Sequence, residues 1–127
     1  MEVVMRVRLI IASLLPLVLA AGCTQEKKVS YQNDVYPILK KSCLECHSSN
    51  GEGYKKSGLS MESYENLMKG TKFGPVLVPG QSISSTLVRL LQGKADPSIN
   101  MPHKRDTLPE DQAEIIVKWI DQGAKNN

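Results

Sequence analysis

Aromatic residues are scarce in this chain: one Trp, one Phe and four Tyr among 127 residues. A domain of this size with so few large apolar side chains is marginal on its own core, so something other than the chain is expected at its centre. Cysteine is scarce as well, three in all, an odd and small number that excludes a disulfide framework. Charge of one sign is also lacking. With 16 Lys and Arg against 13 Asp and Glu the net charge is only +3, and no basic stripe marks a nucleic-acid-binding face, so no nucleic acid partner is expected. No stretch alternates apolar and polar residues as a half-buried strand would, and no internal repeat is visible. Long hydrophobic runs are absent apart from one at the start, about 15 apolar residues from Val7 to Ala21, short of the roughly 20 a spanning helix needs and interrupted by Pro16.

That run follows Arg6 and Arg8 and ends in small residues, the anatomy of an export signal. Leu19-Ala20-Ala21-Gly22-Cys23 resembles the lipobox of bacterial lipoproteins, with Ala20 where leucine is usual. The resemblance implies a cut before Cys23 and a diacylglycerol on its sulfur. The alternative is an ordinary secretory cut near Ala20 or Ala21, which would leave Cys23 as a lone thiol in an oxidising compartment, a liability that favours lipidation. The expected organisation is a signal peptide over 1–22, a lipidated tether over 23–29 and a folded domain over 30–127. The tether is polar and aperiodic and would let the domain stand about 20 Å off a bilayer. Location is then periplasmic or otherwise extracytoplasmic, with a membrane held through Cys23.

Within the domain, Tyr31, Val35, Leu39, Cys43 and Cys46-His47 recur at helical spacing, and Pro37 fits if Asn33 or Asp34 caps the helix just before it. Residues 48–57, with Asn50, Gly51 and Gly53, read as a loop. A short helix is expected from Ser60 or Glu62 to Met68, stopped by Gly70. Residues 73–80 hold too many breakers for a strand and read as an extended loop. Another helix runs from about Ser84 to Leu91, capped by Ser82 or Ser84, with Ile83, Leu87, Leu90 and Leu91 as its apolar face. After an irregular stretch containing Pro97, Met101, Pro102 and His103, Thr107-Leu108-Pro109-Glu110 resembles a capping box, and Ala113, Ile116, Val117 and Ile120 follow at i, i+3, i+4 and i+7 before Gly123. The fold class is all-α, three to four short helices and long loops.

The chemistry is carried by Cys43-Leu44-Glu45-Cys46-His47, a C-x-x-C-H pentapeptide. On one helical turn, thiols three residues apart can bond the two former vinyl groups of a single porphyrin while the adjacent His47 presents its imidazole to the iron from the same side. This predicts one covalent haem c, which would also fill the thin core. A zinc site would need a second C-x-x-C or H-x-x-x-H half, and the only other histidine is His103. A thioredoxin-like dithiol would need a strand and a parallel sheet. For the second axial position Met101 leads, because Pro102 fixes the backbone beside it and a thioether suits an iron that cycles between two oxidation states. Met61 and Met68 read as core filler. His103 is the competing ligand.

The order Tyr31…Asp34-Val35-Tyr36-Pro37-Ile38-Leu39, Cys43-Leu44-Glu45-Cys46-His47, Gly58-Leu59-Ser60-Met61, Val78-Pro79-Gly80, Ser84-Ser85-Thr86-Leu87, Met101-Pro102 and Trp119-Ile120-Asp121-Gln122-Gly123-Ala124 resembles the planctomycete-type cytochrome c domain, a branch of the class I cytochromes c. The resemblance implies a cytochrome c fold in which the first and last helices cross beside the haem, with Met101 as distal ligand. Here His103 replaces the proline that often follows Met-Pro, and Pro109 takes a place usual for a Ser or Thr cap. With both axial positions filled, the expected function is that of a one-electron carrier, not an enzyme, meeting redox partner proteins transiently. The rivals are a haem-based gas sensor or enzyme with an open distal iron, and a fixed haem subunit of a membrane oxidoreductase.

Overall fold

A computed structural model describes residues 26–103 and 106–127. The proposed signal region, Cys23, Lys104 and Arg105 lie outside the described residues. The order of elements is a π-turn (Tyr31–Val35), α1 (Tyr36–Ser42), α2 (Leu44–His47), α3 (Glu52–Ser57), α4 (Tyr64–Lys69), α5 (Thr86–Leu91) and α6 (Glu110–Asp121). The protein is all-α, with six short α-helices among the described residues rather than three or four. The one bridge of β type there joins Thr71 to Gly74 within a tight turn.

The first helical stretch starts one turn earlier than Asn33 or Asp34 would start it. Ser30 is the cap: its Oγ accepts from the Asn33 amide at 3.1 Å, and its own amide donates to Asp34 Oδ2 at 2.8 Å. The chain then makes wide turns, the Val35 amide reaching back five residues to Ser30 O at 3.1 Å and the Tyr36 amide to Tyr31 O. Pro37 explains the widening. It has no N–H to give Asn33, and its ring would crowd that carbonyl in a regular α-turn, so the preceding turn opens. A second irregularity falls at Cys43, with φ −122° between α1 and α2.

Residues 52–57, expected as loop, form α3. Glu52 lies in its first turn and pairs with Lys55 at 2.8 Å, Lys55 and Lys56 lie in its last, and Gly58 closes it with φ 78°. Helix α4 starts later than expected, at Tyr64, because Ser63 is its cap, accepting from the Asn66 amide at 3.2 Å. Met61 therefore lies outside the helix, in the core. Helix α5 starts after Ser85, whose hydroxyl does no capping. It donates to Gln81 O and accepts from the Val78 amide, tying down the extended 73–80 segment. Ser82 is also no cap, bonding Asp121 instead, and Ile83, expected on the apolar face, is 89% exposed in the loop ahead of α5. The capping box at Thr107 does not form. Pro109 is the N-cap residue of α6, with no side-chain cap bond.

Helix α6 packs on the π-turn, and its Ile116, Trp119 and Ile120 are buried in one core with Tyr31, Val35, Ile38 and Leu39. Trp119 stands 5.4 Å from the Tyr31 ring centre, and Tyr64 meets both edge-on. Most of the few aromatics are thus gathered where the first and last helices meet. The end of α6 turns sharply at Gly123 (φ 100°) and Ala124 (φ 48°). Ala124 is fully buried, and its carbonyl accepts from Tyr64 Oη at 2.8 Å, while Trp119 Nε1 donates to Lys125 O at 2.9 Å. The polar end of each aromatic satisfies a carbonyl of the final turn.

The tether also departs from expectation. Over residues 26–29 it lies along α6: Glu26 pairs with Lys118 at 2.7 Å, and the Gln122 side-chain amide bonds Lys27 O at 3.1 Å and the Val29 amide at 2.8 Å.

Candidate functional site

Cys43, Cys46 and His47 come together on one turn. The Cys46 and His47 amides both donate to Cys43 O, at 3.1 and 2.9 Å, so the pentapeptide is wound tightly. The thiols are half-buried and free. Burial, with Cys46 beside it, pushes the Cys43 thiol up to about 11, so at neutral pH that sulfur is a thiol, not a thiolate. His47 is buried, and desolvation holds its imidazole below the ordinary histidine range, opposed by its hydrogen bond to Leu59 O. That bond, from Nδ1 at 3.2 Å, is what defines the ring's chemistry. A carbonyl can only accept, so Nδ1 carries the proton and Nε2 keeps the lone pair that a metal needs. The Met61 amide donates to His47 O at 2.8 Å, binding the segment after Gly58 to the turn on a second side.

The loop after the pentapeptide approaches it so closely that only glycine fits at two places. A Cβ on Gly51 would overlap the Cys46 carbonyl, and one on Gly53 would lie 2.8 Å from that same oxygen and 2.9 Å from His47 Cε1. These glycines back the turn and hold the imidazole in place. The sequence marks them only as turn formers, and it gives no sign at all of Leu59, which acts through its backbone.

Met101 comes from a different part of the chain. It is partly buried against the core, its amide donating to Leu90 O at 3.3 Å, and its peptide bond to Pro102 is cis. Met68 is likewise partly buried, Met61 is almost wholly so, and His103 is exposed. An open cleft of about 840 Å³ is lined by Lys41 and Ser42, just before Cys43, and by Pro102, Asp106, Thr107, Leu108 and Pro109, beyond Met101. Its walls are the end of α1, which runs into Cys43, and the segment that follows Met101; Cys43, Cys46, His47 and Met101 are not among its lining residues. Beside Met101 in sequence, Asn100 Oδ1 is buried with no hydrogen-bond partner among the described residues. Among the described residues no three His, Cys, Asp or Glu side chains gather as a metal-binding group. A thiol pair on one turn and an imidazole with a fixed Nε2 fit the attachment of a covalent porphyrin.

Residues 43–104 match the family model described as Planctomycete cytochrome C. The chain is 29% identical over 133 residues to hydrazine synthase subunit alpha of Kuenenia stuttgartiensis, an alignment that takes in 82% of this chain and 16% of that one. The solved structure of Kuenenia stuttgartiensis hydrazine synthase superposes with a TM-score of 0.51 at 27% identity, over 76% of this chain and 16% of that one. The chain thus spans about a sixth of the relatives it matches. Those relatives are an enzyme's parts, so the expectation that this chain is no enzyme gains nothing from them and stands weakly at odds with them. Over residues 43–104 the chain thus matches the planctomycete-type cytochrome c domain, a match that implies covalently held haem c.

Proposed function

We propose that the protein is a one-electron carrier: an extracytoplasmic monohaem cytochrome c, anchored to a membrane through lipid on Cys23. Cys43 and Cys46 would hold the porphyrin, His47 Nε2 would take the proximal iron position, and Met101 would take the distal one. The observation that carries this reading is the His47 Nδ1 bond to Leu59 O, which fixes both tautomer and ring direction on a turn whose two thiols are free among the described residues. When bound, haem c supplies reversible one-electron chemistry at iron. The chain's share is to hold that group rigidly. Gly51 and Gly53 let the loop close on the turn, Leu59 O keeps the imidazole from rotating, and the Leu90 carbonyl with Pro102 limits the freedom of Met101. Little has to move when charge changes, which is what fast outer-sphere transfer needs.

A second reading has a specific observation behind it. The similarity to a subunit of hydrazine synthase favours a haem module that works within a larger assembly. Carbon monoxide added to the reduced, haem-loaded protein tests the first reading. A carrier with both axial positions filled binds it slowly and weakly, whereas rapid stoichiometric binding means an open iron. Met101→Ala should lose the weak far-red absorption of a thioether bound to ferric iron and gain fast carbon monoxide binding, while Met61→Ala and Met68→Ala keep the band. Persistence of the band in Met101→Ala would move the ligand elsewhere. Copurification with a stable partner would favour the second reading.

A further inference from the structure

The only phenylalanine of the chain is spent on the surface. Phe73 is 84% exposed at the tip of the turn between α4 and the extended 73–80 segment, and contributes nothing to the core. Yet the turn that carries it is built rigidly. Thr71 and Gly74 exchange backbone bonds at 2.9 and 3.1 Å, Thr71 Oγ1 donates to Gly74 O at 3.1 Å and accepts from the Phe73 amide at 3.0 Å, and the Lys72 amide donates to Ser57 O at 2.9 Å. Gly70 lets the turn fold back on itself, since a Cβ there would lie 2.6 Å from Pro75 Cα. An exposed aromatic on a preorganised turn has little entropy to lose on being covered, which is the physics of a binding anchor.

The surroundings of Phe73 are predominantly positive. Lys72 holds its ammonium 5.2 Å from the ring centre. Lys69 ends α4 immediately before the turn, and Lys55 and Lys56 end α3, whose last residue bonds Lys72. The nearest carboxylate on α3 is Glu52, paired with Lys55, and Glu65 at the start of α4 is turned to the Asn126 side chain at 3.5 Å. Four lysines and one acid around the knob amount to as much positive charge as the whole chain's net +3. Position matters too: α3 places Gly53 against the His47 ring and, two residues on, presents Lys55 and Lys56 to solvent.

We infer that the Phe73 turn with Lys55, Lys56, Lys69 and Lys72 is the docking surface for a redox partner protein, one that presents an acidic face with an apolar socket for the ring. This rests on the carrier reading. A protein suits the patch better than a bilayer, because one ring is too little apolar area for firm interfacial binding, while one anchor ringed by like charges suits a small, transient, salt-sensitive contact. The test uses the haem-loaded reduced protein and a small acidic blue-copper protein as oxidant, followed by stopped flow across ionic strengths. The rate should fall as salt rises. Reversing Lys55, Lys56, Lys69 and Lys72 to Glu together should lower it about tenfold or more at low salt and flatten that dependence. Phe73→Ala should lower it severalfold and leave the salt dependence intact. Lys27→Glu, the same kind of change on the segment along α6, should do little. Unchanged rates in the patch variants, or an equal loss in Lys27→Glu, would overturn the proposal. Phe73-dependent binding of haem-loaded Cys23→Ser protein to phosphatidylglycerol vesicles at physiological salt would overturn it in favour of a bilayer. Oxidation by neutral benzoquinone is run in parallel. If all variants turn over reversibly with it, the carrier reading holds whatever the patch does, and if none does, that reading has failed instead.

Discussion

At the scale of single residues the site depends on atoms of very different visibility. Cys43, Cys46 and His47 are adjacent in sequence and their spacing is itself the chemistry, so they could be read directly. Leu59 could not, because any residue supplies a carbonyl, and only the fold brings that one within 3.2 Å of His47 Nδ1. Gly53 lies between these cases, visible as a glycine but not as a support for the imidazole. Gly53→Ala should destabilise the haem-loaded protein by about 1 to 3 kcal/mol, since the new methyl must displace backbone on one side or the proximal ring on the other. A denaturation midpoint equal to wild type would mean that the loop moves aside freely. Tyr31 permits a different test. It is 1% exposed, its hydroxyl has no partner among the described residues, and burial is the main cause that pushes its phenol from 10.0 up to about 12. The native state therefore holds that proton after the unfolded chain has lost it. Stability from this group is complete below pH 10 and declines as pH rises toward 12, by up to about 1.4 kcal/mol per pH unit. Tyr31→Phe should remove this part of the alkaline decline and, by deleting an unpaired hydroxyl, be at least as stable as wild type at neutral pH. A loss above about 1 kcal/mol at neutral pH would show that the hydroxyl has a partner after all.

At the scale of elements, helices were legible where apolar periodicity ran long enough, and α6 is the clearest case. Its Ile116 and Ile120 lie on the buried face as their spacing demanded. Ends were less legible, because caps compete: Ser30 took the place expected of Asn33 or Asp34, and Ser82 and Ser84, the caps expected for α5, are bonded to Asp121 and to the Gln81 side chain, while the helix starts after Ser85. Helix α3 escaped notice because it buries no residue, so no periodicity marks it. It is held by its end charges, by Gly58 and by what it packs against. The junction of the first and last helices yields the prediction for this scale. Trp119 is 1% exposed between Tyr31 and Tyr64 and anchors the final turn through Lys125 O. Trp119→Ala should cost about 3 to 5 kcal/mol, by opening a cavity in a core with few aromatics to spare and by freeing that carbonyl. Thermal or chemical unfolding of haem-loaded protein measures it. A cost under about 1 kcal/mol would mean that α6 does not depend on this contact.

At the scale of the whole molecule, the question is how the domain would be held at a surface. No helix among the described residues is long and apolar enough to cross a membrane, so firm attachment would fall to Cys23. A diacylglycerol with an amide-linked chain buries far more methylene than the single chain that binds only marginally, at about 0.8 kcal/mol per CH₂. A free tether over 23–29 would have given the domain about 20 Å of reach. The packing along α6 shortens that. Glu26 is paired with Lys118, and Gln122 grips the backbone on both sides of Lys28, so a lipidated Cys23 would be separated from the packed chain by no more than the reach from Cys23 to Glu26, about 10 Å at full extension. The face of α6 carrying Lys118 and Gln122 would then be turned toward the bilayer, and partners would have to approach from the other sides. Cys23→Ser should release the cytochrome into the soluble extracytoplasmic fraction with its haem spectrum unchanged, because the pentapeptide's own Cys43, Cys46 and His47 account for the attachment. Gln122→Ala should leave the protein on the membrane but open the segment around Lys27 and Lys28 to trypsin. If mass spectrometry finds Cys23 unmodified, or if wild-type protein is already soluble, the lipid anchor is wrong and an ordinary secretory cut takes its place.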